Sequence, residues 1–429
     1  MIDQSRYRGF FEILPIIKSM QKKVAIIGGG AAGFFTAINA ARLNPSLNVT
    51  IYEKSREVLS KVKVSGGGRC NVTHHCYDPE ILSSNYPRGG KLLRWSFERF
   101  NAEDTVNWFE RRGVKLKAEE DGRMFPTTDS SETIINCLKA DARKYGVNML
   151  TKTNVKRIIP KKQGGFNLEL LKNGVVAVDE VVIATGGYNR ENAYNWICEL
   201  GHKIKKPVPS LFTFNFREKI FTDLAGISVS KAEVHIKGTR YTETGPVLIT
   251  HWGMSGPAVL KLSAWAARDL HQREYRYDIK VNWVFPMKEE GVRQKLISLR
   301  EVNARKQVNK QYQFDFPGRL WTRFTELAGI SPNKRWAEVS NQEIHELTQQ
   351  LVNAIYSIQG KTTYKEEFVT CGGVSLKEVN PDSLESKKVP GLYFVGEVLD
   401  IDGVTGGFNF QAAWTNGMLA AEAIANSNR

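Results

Sequence analysis

The sequence has no run of roughly 20 uncharged apolar residues, the length a helix needs to cross a bilayer. Its most apolar early stretch, residues 10–17, is interrupted by Glu12 and Pro15. It has no small-residue cleavage site behind it, which argues against a secretory signal. Cysteine is scarce: Cys70, Cys76, Cys137, Cys198 and Cys371 are odd in number and scattered. That pattern excludes a disulfide framework and predicts a reducing, cytoplasmic setting. No internal repeat or long low-complexity tract is present. With 41% hydrophobic and 24% charged residues, the 429-residue chain is neither disordered nor fibrous, and it is long enough for two or three domains.

Acidic residues are also in short supply. Against 60 Lys and Arg there are 45 Asp and Glu, a net charge of +15. The excess is uneven: residues 201–365 hold 26 basic and 15 acidic residues, which is +11 of the total. A focused positive field attracts polyanions such as nucleic acid, although a scattered one simply keeps a surface soluble.

Residues 22–27 read as a buried strand, 31–43 as a helix stopped near Asn44-Pro45, and 48–53 as a second strand, together one βαβ unit. Residues 1–19 show no period and are expected to be a loose extension, with Met20 able to start the chain. Residues 175–185 read as a strand, 287–310 and 336–358 as helical, 391–396 as a buried strand and 410–426 as an Ala-rich helix. Between 203 and 237 short β-type runs appear. The predicted organisation is a discontinuous α/β domain (20–200 and 366–429) interrupted by a basic β-plus-helical insert (201–365).

Between the first strand and helix lies Gly28-Gly29-Gly30-Ala31-Ala32-Gly33, a G-x-G-x-x-G turn, and Glu53 ends the next strand twenty residues after Gly33. The spacing is that of a dinucleotide site. Gly28 makes the turn, Gly30 lets backbone N–H groups approach a pyrophosphate, Gly33 lets the helix pack on the strand, and Glu53 can hold a ribose diol. The nucleotide could be NAD or FAD. Two later segments favour FAD. One is the apolar strand ending in Ala184-Thr185-Gly186-Gly187. The other is the returning strand ending in Gly396-Glu397, followed by Asp402 and by Gly407-Phe408-Asn409 at the head of the Ala-rich helix. Such a closing segment aims a helix N-terminus at the flavin, where reduced flavin is negative. Asp402 is expected near the ribityl chain or the loop backbone, or simply as a turn residue before Gly403.

Residues 61–71 include Lys61, Ser65, Gly66, Gly67, Arg69, Cys70 and Asn71, and read as a backbone cradle for phosphate or flavin. Cys70, His74, His75 and Cys76 lack the C-x-x-C pairs of a structural zinc site, so no metal is expected. Lys54 and Val155 complete the candidate cofactor contacts. No strand-linked second G-x-G-x-x-G occurs in the insert, so NAD(P)H is expected as a transient electron donor and not as a resident cofactor.

The blocks Ser65–Asn71, Asp121–Pro126, Thr250–Pro257, Gly372-Gly373-Val374 and 391–409 resemble a bacterial flavoprotein family. That family includes aminoacetone oxidase, bile-acid 3-dehydro-Δ4,6-reductase and ribosomal RNA dihydrouridine synthase. The resemblance covers roughly residues 22–425. It implies FAD bound to a Rossmann-like domain of the glutathione-reductase type and an inserted domain with β-barrel and helical parts. Because the family's chemistry is heterogeneous, the substrate does not follow from it.

For the chemistry, His251 and Ser255 stand in a Gly-containing loop of the insert. His251 could donate a proton near neutral pH, or both could cap turns, since Ser255-Gly256-Pro257 resembles a helix start. Cys371 could be an acid or redox partner, but a small buried Cys is the commoner role. Trp252, with Trp265, Tyr275 and Tyr277, could stack a splayed base or fill a core. Lys203, Lys205 and Lys206 form a local basic cluster suited to RNA phosphates. Three functions remain open: an FAD-dependent reductase of a C=C bond in ribosomal RNA, an oxidase or reductase of a small metabolite, and a flavin-bearing RNA-binding protein without turnover.

Overall fold

The computed structural model describes residues 21–172, 174–363 and 369–427; the expected loose extension, residues 1–19, and Met20 lie outside them. At its centre is a five-stranded parallel sheet in the order Leu392–Phe394, Glu180–Ile183, Lys23–Ile27, Asn48–Tyr52, Asn148–Leu150. Lys23–Ile27 is a β-branched run buried from Val24 onward, as a strand covered on both faces must be. Helix Ala31–Leu43 follows at once and packs along helix Phe408–Ala425. Gly33 is what lets the first helix sit against the strand: a Cβ there would lie 2.0 Å from the Gly28 carbonyl oxygen.

The stretch 175–185 is not one strand but two. Val175–Val178 joins a three-stranded antiparallel sheet, and Glu180–Ile183 joins the central one. Asp179 divides them, its carboxylate accepting the Lys23 N–H at 2.7 Å. The expected helix over 336–358 is shorter. Asn341–Val352 is helical, then Ala354–Thr362 is a barrel strand. The alternating burial of Ala354, Tyr356 and Ile358 follows a period of two and outweighs continuation of the helix.

Six antiparallel strands close a barrel in the order Thr213–Phe216, Gly253–Ser255, Thr242–Ile249, Ser228–Ile236, Arg276–Asn282, Ala354–Thr362. Its interior is filled by Phe214, Val234, Val247, Ile279 and Ile358. Helices Glu289–Val302, Gly318–Leu327 and Asn341–Val352 share that core through Trp283, Trp321 and Trp336. The chain is thus a Rossmann-type α/β unit interrupted by a barrel with helices. The two parts are joined by an antiparallel ribbon, Ile204–Ser210 paired with Val369–Val374.

Candidate functional site

A cavity of about 760 Å³ opens at the carboxyl ends of the parallel strands, with the barrel forming its opposite wall. In open α/β sheets that is where ligands bind. The Rossmann side contributes Gly28, Gly29, Gly30, Ala31 and Ala32 from the first turn, then Ala184 to Gly187, Gly396 and Glu397. The barrel side contributes Leu211, Leu248, Ser255 and Leu260, none of them charged.

Of the helices that begin at this cavity, two start at glycines of the predicted cofactor motifs without a side-chain cap. Helix Ala31–Leu43 starts after Gly30, and helix Phe408–Ala425 starts after Gly407. Their first amide N–H groups and positive dipole ends are therefore available to an anion. A Cβ on Gly30 would meet no protein atom within 4 Å, so the space over that turn is open. Asn71 Oδ1 is buried without a hydrogen-bond partner in the protein, and Asn71 lines the same cavity. An open phosphate cradle, two uncapped helix ends and an orphaned acceptor fit a dinucleotide bearing a flavin.

The acidic residues are held by specific partners. Glu53 accepts the Gly29 N–H at 2.7 Å and the Ser55 N–H at 2.8 Å, which fixes the carboxylate at the end of its strand. Glu397 receives Lys61 Nζ at 2.7 Å and the Thr370 N–H at 2.9 Å. It thereby ties the helical segment Ser60–Gly68 to the ribbon. That segment leaves helical geometry at Ser65, Gly66 and Gly67, where a cradle was expected. Ser65 and Gly66 line the cavity, as do Lys54, Lys61, Gly407 and Asn409.

Several predicted residues stand behind the cavity and not on its wall. Gly33 packs under the turn. Arg69 lies 4.0 Å from the Phe125 ring and is bonded to Glu119 at 2.6 Å, so it buttresses Phe125, which does line the cavity. Cys70 is fully buried, and burial pushes its thiol up to about 12. Val155 pairs with Leu170 in the outlying sheet. Phe408 stacks on His74 at 4.6 Å, and His74 meets the Gly406 carbonyl at 3.0 Å; burial lowers the pKa of this histidine. Gly67 stands outside the lining. Asp402, expected by the ribityl chain, is buried in an ion pair with Arg88 and accepts the Ser210 hydroxyl at 2.8 Å. Cys371 is packed with Val208 and Ala267, its thiol pushed by burial up to about 11.

The insert loop divides in the same way. Ser255 is buried at the end of its barrel strand, lines the cavity and accepts the Thr213 hydroxyl at 3.2 Å. The helix start read at Gly256-Pro257 is present, with Pro257 opening helix Pro257–Trp265. His251 and Trp252 are exposed and lie outside the lining, their rings 5.8 Å apart. Tyr277 is buried among barrel residues. Lys205 and Lys206 are exposed on the ribbon, with Lys203 exposed just ahead of it. Among the described residues no group of three His, Cys, Asp or Glu could hold a metal ion, and no helix is long and apolar enough to cross a membrane.

The apolar wall residues Leu211, Leu248 and Leu260 were not expected. Leucine carries no chemical signature in sequence, and only closure of the barrel onto the sheet shows which leucines face inward. Arg123 and Phe125 lay within the Asp121–Pro126 block and could have been picked from it.

A family profile described as the HI0933-like protein Rossmann domain matches residues 22–423. The chain belongs to this family of FAD-dependent oxidoreductases. Among family relatives, the 3-dehydro-bile acid delta(4,6)-reductase of Clostridium scindens is 27% identical over 94% of this chain and 99% of its own. The ribosomal RNA dihydrouridine synthases of Haemophilus influenzae and Escherichia coli are each 28% identical, over 93% and 92% of this chain and 97% and 96% of their own. Of solved structures, a 3-ketosteroid-Δ4-(5α)-dehydrogenase from Rhodococcus jostii RHA1 shares the fold. It has a TM-score of 0.51 and 14% identity, with 96% of this chain and 99% of that one covered.

Proposed function

We propose that this family member reduces a C=C bond in an uncharged planar ring, and that the ring is a uracil carried by ribosomal RNA. The observation that carries the reading is a contrast. Among the described residues the barrel-side wall is uncharged, built from Leu211, Leu248, Ser255 and Leu260, while the insert around it holds +11 of the +15 net charge. A neutral ring at the end of a polyanion matches both. Two of the relatives are named for that reaction on ribosomal RNA.

In this reading the Gly28–Gly33 turn and the two uncapped helix ends would hold the diphosphate and the flavin edge, and Glu53 would accept from a ribose hydroxyl. FAD, when bound and reduced, supplies the hydride for one carbon of the double bond. The protein's task is the proton for the other carbon. Ser255 accepts the Thr213 hydroxyl, which leaves its own proton to pass to the ring or to relay from water. The leucines exclude bulk water and hold the ring flat. NAD(P)H would enter the same mouth transiently as the electron donor.

A second reading rests on the same leucines: a small enone would fill an apolar wall without RNA, as the name of the bile-acid relative suggests. Anaerobically reduced protein, mixed separately with ribosomal RNA fragments and with a conjugated steroid dienone, tests both. Flavin reoxidation by RNA, with a gain of two hydrogens in one uridine by mass spectrometry, is the expected result. Reoxidation by the dienone alone would move the assignment to the small molecule. Binding of RNA without reoxidation would leave a flavin-bearing RNA-binding protein.

A further inference from the structure

A second concavity, of about 620 Å³, lies where the ribbon leaves the Rossmann unit, and Lys203, Lys205 and Lys377 line it with Asn195 and Ser375. Of its two acidic residues, Glu378 is already engaged by Lys388 at 2.5 Å, and the other, Glu191, is exposed. Two further lysines lie beyond those in the pocket: Lys206, exposed, and Lys361, half-buried with its ammonium 4.8 Å from the Tyr275 ring. The ribbon's register shifts between Lys205 and Val208. Opposite this bulge stands Gly372, whose φ is +123° and whose Cβ would lie 2.5 Å from the Lys206 carbonyl oxygen. A bulge breaks the alternation of faces. Here consecutive residues Lys205 and Lys206 are both exposed, instead of one pointing inward. Lys206 and Lys361 both act on His271, adding to the lowering of its pKa that burial begins. Lys361 lies two residues before Thr363, which lines the flavin cavity.

Exposed lysines therefore stand at the pocket end of the ribbon, and Lys361, on the adjoining barrel strand, stands near the cavity end. Ile204 pairs with Val374 at the pocket end, and Ser210 pairs with Val369, itself a cavity residue, at the other. Six residue steps of strand span about 20 Å.

We propose that the pocket lined by Lys203, Lys205 and Lys377 is a phosphate site for single-stranded RNA, set one ribbon length from the reacting ring. This rests on the RNA reading above and deepens it. The pocket grips the backbone a few nucleotides from the target, and the bulged lysines carry the strand between the two points. Such a contact is independent of sequence and fixes register, while the cavity receives the splayed base.

The test uses the full-length holoprotein and a single-stranded uridine oligonucleotide of roughly a dozen residues, within the usual footprint of such sites. The triple variant Lys203→Gln, Lys205→Gln, Lys377→Gln should keep its FAD and bind about tenfold or more weakly. Its affinity should also depend less steeply on salt, the log–log slope falling by about 0.7 for each phosphate that the lysines no longer neutralise. Because that variant can fail to fold, a second measurement uses the unaltered protein. One neutral methylphosphonate linkage is moved along the oligonucleotide. Binding should weaken at the linkages next to the reduced uridine and again at one a few nucleotides away, with tolerant positions only where the strand spans between lysines. A walk that is sensitive only beside the uridine, or a folded triple variant that binds with wild-type affinity and salt slope, overturns the phosphate pocket. If the oligonucleotide is bound in this pattern but never gains hydrogen, the pocket stands and the reductase reading falls. If the wild-type protein shows no salt-dependent RNA affinity, both fall.

Discussion

Arg88 and Asp402 form a buried ion pair on the seam between the Rossmann unit and the insert. Arg88 Nε donates to Asp402 Oδ1 at 2.6 Å, and its Nη1 donates to the Ala264 carbonyl at 2.6 Å in helix Pro257–Trp265. The Ser210 hydroxyl completes the cluster from the end of the ribbon. Asp402 is followed by Val404 to Gly407, which line the cavity. One guanidinium thus braces the closing loop of the cofactor site against the wall that faces it. Removing one partner leaves the other charged and buried. Asp402→Asn or Arg88→Met should therefore cost about 3–5 kcal/mol in chemical denaturation, whereas replacing both with apolar residues should cost less.

Two glycines of the same motif should fail differently. Gly30 has φ −90° and open space at its Cβ position. Gly30→Val should fold normally, with an unchanged far-ultraviolet spectrum, yet lose the visible absorbance of bound flavin. Gly33→Ala puts a methyl 2.0 Å from the Gly28 carbonyl and should lower the melting temperature along with flavin content.

Ser255→Ala should retain FAD and slow substrate-driven flavin reoxidation by about 10²-fold, the low end of what a positioned proton donor contributes. Thr213→Val, which removes the hydroxyl bonded to Ser255, should give a smaller loss in the same direction. His251 lies outside the cavity lining, and its replacement by Ala should matter less than either. Stopped-flow mixing under anaerobic conditions separates the three.

Leu211 lines the cavity with a φ of +55°, a left-handed conformation unusual for leucine. Its neighbours hold it there: Ser210 bonds to Asp402, and the Phe212 N–H is accepted by Ser263 Oγ at 2.9 Å. Glycine relieves that conformation, which costs about 1–2 kcal/mol for an L-residue. Leu211→Gly should keep its melting temperature and FAD, yet raise KM for the ring substrate. A variant that loses stability while KM is unchanged would show that the side chain serves packing alone.

Alkaline pH should destabilise the protein in part through Cys70. Burial raises its thiol from 9.0 to about 12, so above pH 9 the unfolded chain releases a proton that the native protein keeps. The contribution is fully present below about pH 9 and is lost as pH rises toward 12. At 1.36 kcal/mol per unit this amounts to at most about 4 kcal/mol. Tyrosines titrate in the same range, so the measurement is the difference in slope of stability against pH between the wild type and Cys70→Ala.

What was legible in the sequence was whatever has a local cause. The helix over 31–43 coincides with the structure because a Gly-rich turn starts it and Asn44-Pro45 stops it. Gly28 to Gly30, Glu53, Gly396 and the Val404–Gly407 segment gather at one cavity because each ends a parallel strand or leads into a helix at the same edge of one sheet. The ion pair of Asp402 was illegible for a nonlocal reason: its partner Arg88 lies 314 residues away, and no spacing rule connects them. The strand over 354–362 was hidden because its pattern ran on from a true helix. The leucine wall was invisible because it exists only once the barrel has closed.

The ribbon also has an evolutionary consequence. Ser210 and Val369 are paired neighbours, so the polypeptide leaves and re-enters the cofactor unit through a single doorway. Whatever is threaded between those two positions can be exchanged, enlarged or pared back without moving a strand of the parallel sheet, because the endpoints stay side by side. A lineage can then trade its substrate by swapping a cassette while the redox engine is inherited intact.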